Sequence, residues 1–185
     1  MTKRIFYIVI AAALALYAGA ASAQPLTLSQ ISGYLNELQT AEGGFTQINP
    51  DGTLATGQIY IKRPGRIRFE YNPPAQSLVL ASAGTVAVFD PRSNAGPEQF
   101  PLSRTPLSII LAETVNLERA RMVTNVISDD TTTTITAQDP DNPNYGSIQM
   151  VYTANPNELR QWIVTDDIGS QTTLILNDLV AGAPI

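Results

Sequence analysis

Between residues 59 and 71 apolar and polar side chains alternate with period two. Ile59 and Ile61 fall on one face with Tyr60 and Lys62 on the other, and Ile67, Phe69 and Tyr71 oppose Arg66, Arg68 and Glu70. That alternation predicts two half-buried strands. Arg63-Pro64-Gly65-Arg66 lies between them, with proline where a turn fixes φ near about −65° and glycine where a type II turn requires positive φ. The unit reads as a β-hairpin with cationic residues at its tip.

Upstream, Leu28, Ile31, Leu35 and Leu38 recur at helical spacing, with Asn36, Glu37 and Gln39 on other faces. This predicts an amphipathic helix over 28–39, ended by Gly43-Gly44. Downstream of the hairpin, 76–80 and 85–89 read as strands around an Ala-Ser-Ala-Gly connection. Leu78, Leu80, Val86 and Val88 are assigned with Phe45, Ile59, Ile61, Ile67, Phe69 and Tyr71 to the sheet's apolar lining. From Asp90 to Pro106 the pattern breaks into a proline-rich loop. Thr105 is the expected cap of a second helix over 106–112, with Pro106 in its first turn and Leu107, Ile110 and Leu111 as its apolar stripe. Five further strands are expected at 121–128, 131–137, 146–153, 159–166 and 171–177, each bounded by turn residues. The fold class that follows is mainly β with a helical lid (α+β). It is a curved antiparallel sheet forming an unclosed barrel, with the two short amphipathic helices over its concave face.

The first 23 residues change the picture of where the chain works. Lys3 and Arg4 precede an apolar, small-residue run, and Ala21-Ser22-Ala23 fits a small-x-small cleavage site, so 1–23 reads as a cleaved secretory signal peptide. Its strongly apolar part is shorter than the ~20 residues of a spanning helix. Residues 24–185 then form one domain, with a formal charge that moves from −5 to −7 when Lys3 and Arg4 are lost. A chain this acidic is a poor ligand for nucleic acid.

Histidine and cysteine are both absent, which excludes the usual zinc sites, cysteine nucleophiles and serine-histidine dyads. It also leaves no cysteine to carry lipid. Asp129-Asp130 and Asp166-Asp167 are adjacent carboxylates, but neighbours on a strand face opposite ways, and they read as solvated turn residues. The run Asp139, Asp141, Asn142 and Asn144 lacks the glycine and terminal glutamate of a calcium loop. No metal ligand, cofactor-binding residue or catalytic residue is assigned.

Phe45-Thr46-Gln47, residues 57–62 and Arg63-Pro64-Gly65-Arg66-Ile67-Arg68-Phe69-Glu70-Tyr71 together resemble the LolA family of periplasmic lipoprotein carriers. Phe89-Asp90-Pro91, Thr105-Pro106-Leu107, the segment 159–169 and Gln171-Thr172-Thr173 look like its later signatures, in order. The resemblance implies a soluble, monomeric, non-enzymatic periplasmic chaperone that carries lipoproteins from the inner to the outer membrane. Its cavity, lined by the apolar residues named above, would accept their acyl chains. The lid would be Leu28, Ile31, Leu35, Leu38, Leu107, Ile110 and Leu111. Arg63, which on its own reads as a solvated hairpin-tip residue, matches the family arginine that hydrogen-bonds to the lid and keeps the empty cavity closed. Ile67 stands where the family usually has an aromatic ring, and remains apolar.

The implied partners are an inner-membrane lipoprotein-releasing ABC transporter and an outer-membrane acceptor. A lipid- or lipopeptide-sensing regulatory module of similar fold is the alternative function, and a hydrolase the third. Family members commonly continue past the strand at 171–177 into another apolar segment. Here 179–185 closes the chain, so the barrel edge is left open or the segment packs differently.

Overall fold

The structure, a computed structural model, describes residues 24–119 and 121–185. The signal-peptide reading of 1–23 lies outside the described residues. Helix α1 (Leu28–Glu37) starts in a capping box, in which the Thr27 hydroxyl accepts from the Gln30 amide and the Gln30 side chain accepts from the Thr27 amide. Then come β1 (Thr40–Ile48), β2 (Leu54–Lys62), β3 (Arg66–Tyr71), β4 (Leu78–Ser82), β5 (Thr85–Phe89) and β6 (Glu98–Pro101). Helix α2 (Leu107–Ile110) precedes β7 (Val123–Ser128), β8 (Thr132–Gln138), β9 (Ser147–Ala154), β10 (Asn157–Thr165) and β11 (Gln171–Ala181).

All the strands join one 11-stranded sheet in the order β6-β5-β4-β3-β2-β1-β11-β10-β9-β8-β7, with antiparallel neighbours throughout. The two outermost strands, β6 and β7, are not hydrogen-bonded to one another. Laid flat at about 4.8 Å between strands, such a sheet would be nearly 50 Å wide. Yet Val86 of β5 and Ile135 of β8 belong to the same buried core. The sheet therefore curls around one interior without closing, the expected unclosed barrel.

Several local expectations are revised. Gly43-Gly44 does not end the helix. The helix stops at Glu37, and both glycines lie inside β1, at a register shift against β11. Glycine serves a bulge as readily as a helix end, so its presence did not distinguish the two. Thr105 is not a side-chain cap, because its hydroxyl donates to the Leu102 carbonyl and Pro106 occupies the cap position of α2. The loop after Asp90 contains β6, a wholly exposed edge strand with no burial alternation to announce it. The last apolar segment packs in part: β11 runs on to Ala181 beside Ala41 of β1, Leu179 packs against the core and Ala183 is buried, while Val180 and Ile185 are exposed.

The inner face is set by register. Phe45 lies opposite Gly57 on β2 and Leu176 on β11, Ile59 opposite Phe69, and Ile61 opposite Ile67. The Phe45 ring meets Phe69 and Tyr71 edge-on, with centroids 5.6 and 5.0 Å away. Gly57 makes that stacking possible: a Cβ there would collide with the Glu70 carbonyl oxygen and lie 2.7 Å from Cε1 of Phe45. Gly57→Ala is therefore expected to lower unfolding stability by roughly 1–3 kcal/mol in urea titrations, through overpacking of the inner face.

Candidate functional site

The inner face is apolar across the sheet and is covered from one side by two chain segments. Phe45, Ile59, Ile61, Ile67, Phe69 and Val86 are buried, as the alternation predicts, and Tyr71 packs at the margin of the same core. Val88 lies opposite Val79 and shares that face, only half-buried near the β5 edge. Leu78 and Leu80 are a correction to the predicted lining. Register places Val79 opposite Phe69 and Ala81 opposite Ile67, so Leu78 and Leu80 pair with Glu70 and Arg68 on the outer face. The run Leu78-Val79-Leu80-Ala81 is apolar on both faces, so side-chain size misassigned its parity; a one-residue choice turns every side chain over. Leu80 instead lines a shallow outer groove with Tyr60, Lys62, Arg66 and Arg68.

The far half of the interior went unrecognised in the sequence. Met150 lies opposite both Trp162 and Ile135, Leu159 opposite Tyr152, and Leu174 opposite Trp162; all are buried. Each sits in a strand whose alternation could have supplied it.

The lid consists of α1 and the segment from α2 to Leu117. Ile31, Leu35 and Leu38 are buried against the inner face, and Leu28 is partly buried there. Ile110 and Leu111 are buried, as is Ile109, while Leu107 packs at the margin. The two segments are tied to one another by polar contacts that the sequence did not signal. The Asn36 side chain donates to the Val115 carbonyl at 2.8 Å and accepts from the Val115 amide at 2.9 Å. The Ser32 hydroxyl accepts from the Leu117 amide at 3.0 Å. Val115 and Leu117 are themselves buried, so the irregular chain after α2 closes the interior as fully as the helices do.

Arg63 joins this lid to the β2–β3 hairpin. It is no solvated tip residue: it is 5% exposed. Its Nη2 donates to the Ala112 carbonyl at 2.5 Å, and its backbone amide donates to the Gln39 carbonyl at 2.8 Å. The turn carries the chain back beneath the lid, where the Gly65 amide donates to the Leu111 carbonyl at 2.9 Å. Gly65 has φ of +70°, the positive value its turn position requires. Arg63 Nε and Nη1 are buried with no acceptor. Burial pulls the guanidinium below its ordinary value, opposed by its attraction to an ionised Tyr152. The arrangement is a charged clasp in an apolar surround, only one of whose side-chain nitrogens is bonded.

The carboxylates do no comparable work. Asp129 accepts from the amides of Thr131 and Thr132, Asp139 from those of Asp141 and Asn142, and Asp166 from those of Ile168 and Ser170. They brace their own turns, as the sequence suggested. Among the described residues no three acidic side chains gather as metal ligands would.

The sequence comparisons point to one family. The sequence model described as "Outer membrane lipoprotein carrier protein LolA" matches residues 36–185. A protein of Methylibium petroleiphilum named "Outer-membrane lipoprotein carrier protein" is 33% identical over 107 residues, covering 54% of this chain and 52% of that protein. A protein of the same name from Coxiella burnetii is 23% identical over 177 residues, covering 90% of this chain and 82% of that one. The chain thus spans about half the length of the first relative and most of the second. A crystal structure of a LolA superfamily protein from Nitrosomonas europaea covers 86% of this chain and 96% of that one, with 13% identity and a TM-score of 0.40.

Tyr71 offers a titration of the inner face. Its hydroxyl donates to Gln47 Oε1 at 2.6 Å, and burial pushes its ionisation up to about 12 from the ordinary value of 10.0. Because the folded state resists ionisation, this contribution is complete below pH 10 and is lost as pH rises through about 12. Alkaline unfolding should therefore steepen above pH 10 together with phenolate absorbance. Tyr71→Phe should flatten that limb by at most roughly 3 kcal/mol; an unchanged slope would contradict the assignment.

Proposed function

The chain belongs to the LolA family of outer membrane lipoprotein carrier proteins, and from that membership we propose that it is a periplasmic carrier that holds lipoprotein acyl chains against its inner face. It receives them from an inner-membrane lipoprotein-releasing ABC transporter and delivers them to an outer-membrane acceptor. It works as a monomer and leaves its cargo covalently unchanged. The observation that carries this reading is the apolar inner face closed by a lid that Arg63 Nη2 and the Gly65 amide tie to the hairpin.

The energetics suit a carrier. Each buried methylene is worth ~0.8 kcal/mol, so one long acyl chain gains on the order of 10 kcal/mol. That is too much for a protein that must release its cargo. In the closed form Ile31, Leu35, Ile110 and Leu111 already cover the inner face, so cargo enters by displacing them. The gain from the acyl chain is offset by the apolar contacts the lid gives up and by the clasp that breaks. Net affinity falls by the fraction of molecules with the lid lifted, which is how closure promotes unloading.

Leu107→Glu and Ile110→Glu place a carboxylate on the lid surface that meets the cargo. Burying it unpaired costs at least about 2 kcal/mol, so uptake of triacylated lipoprotein from detergent should fall roughly thirtyfold or more. The measurement is lipoprotein recovered on the purified protein and then passed to acceptor membranes. Unimpaired uptake and transfer by both folded variants would remove the lid from the site and sink this reading.

A further inference from the structure

Arg63 is more deeply buried than a clasp requires. Nη2 has its acceptor on the lid, but Nε and Nη1 are buried without one, in a residue 5% exposed. A buried guanidinium donor without an acceptor is costly, and folded proteins rarely retain one without a reason. An interior otherwise built to receive hydrocarbon thus holds two under-used donor atoms of one guanidinium, beneath the lid and at the hairpin turn.

Hydrocarbon cannot satisfy them. The head of an acyl chain can, because a carboxylate or an ester carbonyl presents an oxygen where the chain begins. We propose that Arg63 Nε and Nη1 bind the acyl carbonyl oxygen of the cargo, so that the site selects fatty acyl groups over plain hydrocarbon. The inference rests on the carrier reading and refines it. Arg63 exchanges a lid carbonyl for a cargo carbonyl as the lid lifts, and the acyl chain runs inward from that point along Ile61, Ile67 and Phe69. A charge-assisted hydrogen bond to a guanidinium supplies the selectivity.

The test is displacement of Nile red from the purified protein by dodecane, dodecanoate and methyl dodecanoate at neutral pH. The readout is the affinity of each oxygen-bearing ligand relative to dodecane, a ratio from which the differing aqueous costs of the ligands cancel between variants. In Arg63→Leu the dodecanoate advantage should fall about tenfold, while dodecane itself binds at least as tightly because the lid has lost its clasp. Arg63→Lys keeps a cation that can reach the lid carbonyl but lacks the guanidinium's Nε and Nη1 donors, and should lower the same ratio roughly threefold; as the more conservative change it decides the matter if Arg63→Leu does not fold. A parallel fall for methyl dodecanoate identifies the ester of acylated cargo as the ligand, and a fall confined to dodecanoate identifies free fatty acid. Ratios that stay constant in both variants, with all three ligands shifting together, overturn the proposal and leave Arg63 as a clasp alone. Failure of the parent to bind any of the three would overturn the carrier reading itself.

Discussion

An apolar sheet face must be covered at all times, and the architecture follows from that constraint. Eleven strands joined edge to edge place one continuous apolar surface on the inside of the curl, from Val86 to Ile135. Because β6 and β7 do not meet, the sheet cannot seal that surface by itself. The chain covers it with α1, α2 and the irregular stretch through Leu117, whose apolar side chains complete the core. In the proposed carrier, that cover of side chains is exchanged for a cover of acyl chains. The same hydrophobic driving force would then stabilise the empty protein and the loaded one, and the balance between them would be a difference of similar terms.

Polar contacts set where that difference falls. Within the lid, Asn36 and Ser32 bind the backbone of Val115 and Leu117, which joins α1 to the later segment. Between lid and hairpin the ties are Arg63 to Ala112, Gly65 to Leu111 and the Arg63 amide to Gln39, just past α1. In the carrier reading this junction is the hinge line. Placing an arginine at that junction is costly, since two of its nitrogens have no acceptor, and in the carrier reading this keeps the closed state from becoming too stable to open.

Strict alternation was enough to place Ile59, Ile61, Ile67 and Phe69, because polar residues between them left one face to bury. It failed at Leu78 and Leu80, where both faces are apolar and only the register with β3 decides. The helix over 28–37 was legible from its stripe, whereas its end was not, since Gly43 and Gly44 suited a helix terminus and a strand bulge equally. Long-range polar ties such as Asn36 to Val115 leave no periodic trace, and the burial of Arg63 depends on a lid contacted 49 residues away. Edge strand β6 carries no burial pattern because nothing packs on it. What sequence pattern conveyed was the buried surface; what it omitted was how that surface is latched.

The central claim is that cargo replaces the lid while the sheet stays intact. Amide hydrogen exchange on the empty protein and on protein loaded with a triacylated lipoprotein compares the two states directly. On loading, the Gly65 amide should lose protection, because its acceptor at Leu111 leaves with the lid, and amides along β1 and β11 should keep theirs. Unchanged protection at Gly65 with cargo stoichiometrically bound would contradict the account, and so would loss of protection throughout β1 and β11.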